Sequence, residues 1–143
     1  MRAAVTATSR YLPKKIMTNH ELEKMVDTSD DWIQSRTGIV ERRVVSEGET
    51  TSDMCTHIAK KLLERSNSEP NDVEVIIIAT VTPDMPTPAT ASLVQNRIRA
   101  NNAWGFDLSG ACTGFIYAVE TGSRLIESGK YNKVMVIGVD TMS

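Results

Sequence analysis

The stretch Val75-Ile76-Ile77-Ile78-Ala79, near the middle of this 143-residue chain, is a continuous apolar run dominated by β-branched side chains. Successive side chains of a strand point to opposite faces of a sheet, so an all-apolar strand has to be covered on both sides. Parallel sheets with helices on each face meet that requirement. The run therefore predicts an α/β fold with a largely parallel sheet.

Helix and strand patterns alternate along the rest of the chain, as an α/β fold requires. Strands are predicted at Arg2–Ser9, Val73–Val81, Trp104–Leu108 and Lys133–Asp140. Apolar residues at three- and four-residue spacing predict helices at Thr51–Arg65, Ala89–Ala100 and Thr113–Ser128. Two shorter helices are predicted, from Thr18 to Val26 and from Ser29 to the stop signal Gly38. Three prolines make the loop Thr82–Pro88 stiff and extended.

Charge and hydropathy exclude several classes of partner. The formal net charge is -2, which provides no broad basic surface for nucleic acid. No apolar run approaches the roughly 18 residues that a membrane span requires.

The chain has two cysteines and no export signal, which favours reduced thiols and a cytoplasmic location. Cys55 lies on the apolar face of a predicted helix and is expected in the core, whereas His57 lies on the polar face; no metal site is evident.

The other cysteine lies in a turn of small residues, Ser109-Gly110-Ala111-Cys112-Thr113-Gly114, between a predicted strand and a predicted helix. A cysteine is most often core filling. The free N–H groups and the dipole at a helix N-terminus favour a thiolate, however, and glycines on both sides suit a tight strand-to-helix turn. Cys112 is therefore the candidate nucleophile.

Three segments of the chain resemble the β-ketoacyl-acyl carrier protein synthase III enzymes, which are thiolase-like condensing enzymes. The segment from Asp27 to Ile39, followed by Glu41-Arg42-Arg43, resembles the coenzyme A-binding segment of that family. Ala79-Thr80-Val81-Thr82-Pro83-Asp84 resembles the exit of its second strand, and Ala111–Phe115 resembles its active-site cysteine turn. The resemblance covers the whole chain but only the N-terminal half of a family member. It implies the N-terminal half of a thiolase-like α/β fold, with a mixed, mostly parallel sheet and helices on both faces.

The resemblance also implies a chemistry. Cys112 would take the acyl group of a short acyl-CoA, and malonyl-acyl carrier protein would then be decarboxylated and condensed with it to start fatty-acid synthesis. The backbone N–H of Cys112 would donate to the oxyanion. Thr28, Trp32 and Arg36 would contact the CoA nucleotide, Trp32 and Arg36 from one helix face. A histidine and an asparagine would come from the second half, and neither His20 nor His57 matches them. The family is homodimeric, with Trp104–Leu108 as the strand that pairs across the two-fold axis. Acyl-CoA is a substrate in this family, so no cofactor is expected.

The chain departs from the family pattern at several positions. Gly110 stands where family members usually have alanine, which predicts a looser turn. Thr113 stands where they usually have alanine or serine, which predicts an extra methyl group beside the nucleophile. Thr87 occupies a position where many members place a phenylalanine that reaches the acyl pocket of the partner subunit. A smaller wall there, with Met142 as a second wall residue, predicts a pocket for acyl groups larger than acetyl.

Other interpretations stay open at this point. A quinolone- or polyketide-type condensing enzyme would share Cys112 and the CoA segment. An α/β-hydrolase with a cysteine nucleophile would share the glycine spacing of the turn. A half-chain that binds nucleotide or a partner protein without turnover is the third. Trp32 as a core anchor is the structural alternative to nucleotide stacking. Arg42, Arg43, Lys60 and Lys61 are scattered surface charges to which no role is assigned.

Overall fold

The apolar run Val75–Ala79 is the central strand of a three-stranded parallel sheet, and all five of its residues are buried. The structure is a computed structural model that describes residues 2–142. Its strands are β1 (Lys15–Thr18), β2 (Glu41–Val44), β3 (Val75–Ala79), β4 (Trp104–Leu108) and β5 (Val134–Gly138). Its α-helices are α1 (Asn19–Leu22), α2 (Asp30–Thr37), α3 (Thr51–Arg65), α4 (Thr90–Ile98) and α5 (Gly114–Glu127). Short 3-10 helices cover Pro70–Asp72 and Ala111–Thr113.

The chain forms two compact units. The large unit comprises residues 2–11 and Thr50–Met142, and the small unit comprises Leu12–Glu49. In the large unit the strand order is β4-β3-β5, and both pairs are parallel. None of the helices within residues 2–142 is long and apolar enough to cross a membrane.

Helices cover both faces of the large unit's sheet, as the central strand predicts. Ile76 and Ile78 pack with side chains of α3 and α4, including Cys55 and Val94, in one apolar cluster. Val75 and Ile77 point to the other face and pack with Ala118 of α5. Alternation along one strand thus divides the core into two layers. The predicted α/β class with helices on both faces is confirmed.

Most predicted elements are present, with ends that differ by one or two residues. The helix Thr51–Arg65 and the strand Trp104–Leu108 have the predicted bounds, while the predicted 73–81 and 133–140 strands are shorter. The short helix that begins after Thr18 has the predicted capping box with Glu21, but it ends at Leu22 rather than at Val26. Ser29 caps α2 and Gly38 ends it at a φ of 70°, as predicted.

The predicted first strand, Arg2–Ser9, is wrong. These residues form no β-ladder with any part of the chain that the structure describes. Ala3, Ala7 and Ser9 are half-buried, but Val5 is 79% exposed, so the burial alternates only in part and the segment has no strand to pair with among the described residues. A strand needs a neighbouring backbone as well as a pattern. A side chain, the guanidinium of Arg65, donates to this segment, at the Thr8 carbonyl oxygen 2.7 Å away.

The small unit is built on an antiparallel pair, β1 with β2, that the sequence patterns did not predict. Lys15 lies opposite Val44 and Thr18 opposite Glu41. Asn19, which is only 1% exposed, connects the pair to α2. Its Nδ2 donates to Asp30 Oδ1 at 2.8 Å and to the Ile39 carbonyl at 2.7 Å, while its Oδ1 accepts from the Arg42 guanidinium at 2.5 Å.

Candidate active site

Cys112 lies just beyond the carboxyl end of β4, in the 3-10 turn that leads into α5. In α/β sheets, ligands bind at the carboxyl ends of the parallel strands, because the loops there are free to form a site. The Cys112 thiol is exposed. The core-filling alternative for this cysteine is therefore wrong, and the thiol can be reached by a substrate.

The turn around Cys112 is held tightly. Ala111 has a φ of 45°, a left-handed conformation that costs a residue with a Cβ on the order of 1 kcal/mol. The Gly110 carbonyl accepts from the backbone N–H of Thr113 at 3.1 Å and from its hydroxyl at 2.8 Å. A Cβ on Gly110 would lie 2.8 Å from the Gly114 Cα. Gly110 allows the start of α5 to approach closely, and the expectation that it loosens the turn stays a prediction.

The backbone N–H of Cys112 is available to a ligand. Among residues 2–142 the structure provides no hydrogen-bond acceptor for this group. A free N–H beside a nucleophile is the kind of donor that stabilises the oxyanion of a tetrahedral intermediate. Thiol and donor come from the same residue, so the turn fixes both together.

The second cysteine has the opposite environment. Cys55 is fully buried on α3, and burial raises the pKa of its thiol from 9.0 to about 12. The carboxylates of Asp107, Asp84 and Asp140 add to that rise. A buried, protonated thiol is a poor nucleophile. The prediction that Cys55 is a core residue is confirmed, and His57 is exposed and stacks on Tyr11 with 5.1 Å between ring centroids.

A network of hydroxyl and carboxylate groups joins the ends of β3 and β5. Asp140 Oδ1 accepts from the Val81 N–H at 2.8 Å and from the Thr80 hydroxyl at 3.1 Å. The Thr82 hydroxyl accepts from the Thr141 N–H at 2.9 Å. The Thr51 hydroxyl of α3 donates to the Thr82 carbonyl at 2.6 Å. The sequence patterns did not predict this network, although an aspartate directly after an apolar strand is its signal.

The two segments that carry the predicted acyl-pocket residues both begin at this network. Thr87 lies five residues after Thr82 and is exposed, and its peptide bond to Pro88 is cis. Met142 directly follows Thr141 and is 83% exposed. The network therefore brings together the starts of two segments that are far apart in sequence. That either side chain lines an acyl pocket stays a prediction.

The predicted CoA residues lie in the small unit, on or just before α2. Trp32 is 58% exposed, so the core-anchor alternative is wrong. Arg36 is also exposed, and Thr28 is half-buried in the segment that precedes the helix. Trp32 and Arg36 are four residues apart on one helix and thus share a face, with an indole and a guanidinium open to solvent.

Two of the basic residues without an assigned role have internal partners. The Arg42 guanidinium donates to Asn19, and the Arg43 guanidinium lies 3.4 Å from the Pro13 carbonyl and 3.7 Å from the Glu41 carboxylate. Both side chains stabilise the small unit. Lys60 and Lys61 are exposed on α3.

A groove of about 580 Å³ in the large unit lies at the amino ends of the strands, away from Cys112. Its lining includes Glu74, Trp104, Tyr131 and Lys133. The Glu74 carboxylate accepts from the backbone N–H groups of Asn132 and Lys133, at 2.5 and 3.0 Å. The Glu74 carboxylate is thus already bonded within the protein, and the described residues form no cluster of metal-ligating side chains here or elsewhere.

Comparison with known proteins connects this geometry to one family. The family profile of 3-oxoacyl-[acyl-carrier-protein (ACP)] synthase III matches residues 106–143, which include Cys112. The chain is 57% identical to the β-ketoacyl-[acyl-carrier-protein] synthase III of Chlorobium chlorochromatii, over 100% of this chain and 44% of that protein. The chain thus spans less than half the length of that relative.

Solved structures agree with the sequence comparison. The crystal structure of 3-oxoacyl-[acyl-carrier-protein] synthase III from Aquifex aeolicus matches 96% of this chain and 44% of its own, at 47% identity and a TM-score of 0.93. A priming β-ketosynthase from the R1128 polyketide biosynthetic pathway matches 96% of this chain and 41% of its own, at 31% identity and a TM-score of 0.94. The fold is therefore thiolase-like, and nothing in these matches supports the α/β-hydrolase alternative. The chain belongs to the β-ketoacyl-[acyl-carrier-protein] synthase III family.

Proposed function

We propose that this chain carries the acyl-accepting cysteine of a β-ketoacyl-[acyl-carrier-protein] synthase III that starts fatty-acid synthesis. The observation that carries the proposal is the Cys112 turn: an exposed thiol at the carboxyl end of a parallel sheet, with its own N–H free. Family membership supports the assignment. Transfer of an acyl group between thiols needs no cofactor, because acyl-CoA itself is the activated substrate.

In the first half-reaction the Cys112 thiolate attacks the thioester carbonyl of a short acyl-CoA. The carbonyl oxygen becomes an oxyanion, to which the Cys112 N–H donates a hydrogen bond. The bond to the CoA sulfur then breaks, CoA leaves as a thiolate that takes up a proton, and the acyl group stays on Cys112. Loss of one oxyanion donor typically costs about 3 kcal/mol of transition-state stabilisation.

In the second half-reaction malonyl-acyl carrier protein loses carbon dioxide, and the carbanion attacks the acyl group on Cys112. The product is β-ketoacyl-acyl carrier protein, and Cys112 leaves as a thiolate. A histidine and an asparagine that stabilise the enolate come from the part of the protein beyond this chain, as the family resemblance implies. This chain alone is then expected to form little acyl-enzyme and to condense nothing. We place the enzyme in the cytoplasm, as a homodimer.

The CoA nucleotide binds at α2 of the small unit in this proposal. The exposed indole of Trp32 offers a flat surface on which adenine stacks, and the Arg36 guanidinium stacks or pairs with phosphate. Thr28 adds a hydroxyl just before the helix. Trp32 and Arg36 are exposed and Thr28 is half-buried, so a nucleotide can reach all three side chains, which supports their proposed role in CoA binding.

The acyl group is held by a wall that includes Met142 and, reaching in from the other copy of the homodimer, Thr87. A threonine takes up less space than the phenylalanine common in the family, so the pocket accepts acyl groups larger than acetyl. Acylation of the full-length enzyme by acetyl-CoA alone, with no reaction of four- and five-carbon acyl-CoAs, would contradict this part of the proposal.

A polyketide-type priming ketosynthase is the second candidate function. The structural match to the R1128 priming enzyme favours it, since its TM-score of 0.94 is similar to that of the Aquifex aeolicus synthase. The lower identity, 31% against 47%, makes it the weaker candidate. The two functions differ in the acceptor, so condensation assays with malonyl-acyl carrier proteins of fatty-acid and of polyketide origin distinguish them.

The deciding experiment measures acyl transfer directly. The full-length protein and the 143-residue chain are each mixed with acetyl-CoA or isobutyryl-CoA, and their intact masses are recorded. We expect one acyl adduct in the full-length protein and little in the chain alone. Cys112→Ser abolishes the adduct, while Cys55→Ser retains it, because Cys55 is buried. An adduct that survives Cys112→Ser, or none in any form, refutes the proposed function.

A further inference from the structure

The loop between β3 and α4 carries Thr87 and is attached to the rest of the large unit at a few points. The structure provides no hydrogen bond between Met85, Pro86, Thr87 or Pro88 and any other residue within 2–142. All four are exposed. Prolines at two of these positions have no N–H to donate. The position of Thr87 therefore depends on the anchors at the two ends of this short span.

Asp84 is the anchor on the β3 side. Its carboxylate accepts from the Ser52 backbone N–H at 2.9 Å and from the Ser52 hydroxyl, both in the first turn of α3. Ser52 is fully buried, and the Arg97 guanidinium of α4 donates to its hydroxyl at 2.7 Å. Hydrogen bonds to a carboxylate are stronger than those between neutral groups. The loop is thus fixed to α3 three residues before Thr87.

Helix α3 does not need Asp84 in order to begin. Thr50 and Asp53 already form a complete capping box at its N-terminus, with the Asp53 carboxylate accepting from the Thr50 N–H at 3.0 Å. The bonds of Asp84 are additional to this cap. The main effect of these hydrogen bonds is therefore on the loop, because Asp84 is the loop residue that accepts them.

Asp107 is the anchor on the α4 side. Its two carboxylate oxygens accept from the N–H groups of Thr90 and Ala91, at 2.6 and 2.8 Å, where α4 begins. Asp107 lies on β4, the strand that leads into the Cys112 turn. The span that carries Thr87 therefore starts at an anchor on α3 and ends at an anchor on the strand of the nucleophile.

We infer that Asp84 is a positioning residue for acyl selectivity: it holds the Thr87 loop in place without touching the substrate. The inference rests on the proposed acylation of Cys112 and on Thr87 as a wall of the acyl pocket. When Asp84 is removed, the Thr87 span moves, the wall is no longer defined, and discrimination between acyl groups weakens. A purely structural carboxylate would instead change the rates with all acyl groups by the same factor.

The test compares acylation rate constants of Cys112 in the full-length protein with acetyl-CoA and with isobutyryl-CoA. The readout is the ratio of the two constants. We expect Asp84→Ala to move this ratio toward one by about threefold or more, because pockets discriminate one methylene by roughly 10-fold to 200-fold. Asp84→Asn keeps a carbonyl acceptor for the Ser52 N–H and is expected to retain most of the wild-type ratio.

Asp72→Ala is the matched control. Its carboxylate also accepts from a backbone N–H, that of Glu69 at 2.9 Å, but in the 3-10 helix at the amino end of β3. We expect it to leave the ratio at the wild-type value. Hydrogen exchange of residues 82–92 is a second readout, and it should accelerate in Asp84→Ala and not in Asp72→Ala.

The outcomes separate the inference from the proposed function. A wild-type ratio in Asp84→Ala, with Cys112 still acylated, overturns the inference and leaves the function intact. A changed ratio in Asp84→Ala together with faster exchange of the loop supports it. Absence of any Cys112 adduct in the wild-type protein refutes the proposed function, and the inference with it.

Discussion

At the scale of single residues, the two cysteines show how position alone determines reactivity. Cys112 is exposed in a tight turn, with a left-handed Ala111 before it and its own N–H free. Cys55 is enclosed by the apolar side chains between the sheet and two helices, and its thiol is held protonated. The same functional group is therefore a candidate nucleophile at one site and a small apolar side chain at the other.

The buried thiol predicts a loss of stability at alkaline pH. Burial raises the pKa of Cys55 from 9.0 to about 12, so the folded state retains a proton that the unfolded state loses. The stabilisation from this group is complete below pH 9 and is lost as the pH rises toward 12. Within that window the free energy of unfolding should fall by up to about 1.4 kcal/mol per pH unit.

Urea unfolding followed by circular dichroism at a series of pH values measures that slope. Cys55→Ala should be less stable than the wild type at neutral pH because of the cavity it leaves, but its alkaline slope should be flatter. Cys112→Ser, which changes an exposed thiol, serves as the matched control with the wild-type slope. Identical slopes in the wild type and in Cys55→Ala would show that Cys55 does not titrate differently on unfolding.

At the scale of elements, several helices and loops are fixed by side chains from distant parts of the chain. Helix α4 has Ala89 at its N-cap, which offers no side-chain acceptor, and Asp107 of β4 supplies the missing one. The end of β5 is joined to the end of β3 through Asp140. In the small unit Asn19 connects α2 to the antiparallel pair. These connections determine where the candidate site residues lie.

Asn19→Ala should loosen the small unit that carries Trp32 and Arg36. The substitution removes one partner of the Arg42 guanidinium and the side-chain donor to the Ile39 carbonyl, and loss of such part-buried hydrogen bonds costs about 2 kcal/mol. We expect hydrogen exchange of residues 12–49 to accelerate by about 30-fold. Asn102→Ala, at an exposed asparagine of the large unit, is the control and should leave this exchange unchanged. Unchanged protection in Asn19→Ala would mean that the hydrogen bonds of Asn19 are dispensable.

At the scale of the whole molecule, the large unit leaves apolar surface open. Strand β4 is at an edge of the sheet, and its Trp104 is 46% exposed. The first turns of α5 expose Phe115, Ile116 and Tyr117, each by more than half. Edge strands and exposed apolar patches are the features that association covers. They support the proposed homodimer, with β4 pairing across the two-fold axis.

A charge on this surface should separate the two copies. Ile116 is 66% exposed, so Ile116→Lys places an ammonium group on α5 without disturbing the core. We expect sedimentation equilibrium of the full-length protein to show a dimer for the wild type and a monomer for this variant. Val5→Lys changes a side chain that is 79% exposed elsewhere and should remain a dimer. Dimers of equal stability in both variants would exclude this face of α5 from the interface.

Local sequence patterns were sufficient to predict the fold class, several helices and the candidate nucleophile of this protein. The apolar run of β3 sufficed to predict a sheet covered on both faces, because each side chain of a strand must point one way or the other. Helical spacing predicted α3 at its full length, and side-chain caps marked the start of α2. The small-residue turn identified Cys112 as the residue to consider first.

Contacts between distant residues decided the rest. The anchors Asp84, Asp107 and Asp140 each bond to groups 16 or more positions away in the chain, a separation that no local pattern encodes. Residues 2–9 alternate only weakly and form no β-ladder with the described residues, so the pattern alone predicted them wrongly. Periodicity depends on the backbone of one segment, whereas pairing and anchoring depend on which segments meet, and only the tertiary structure determines that.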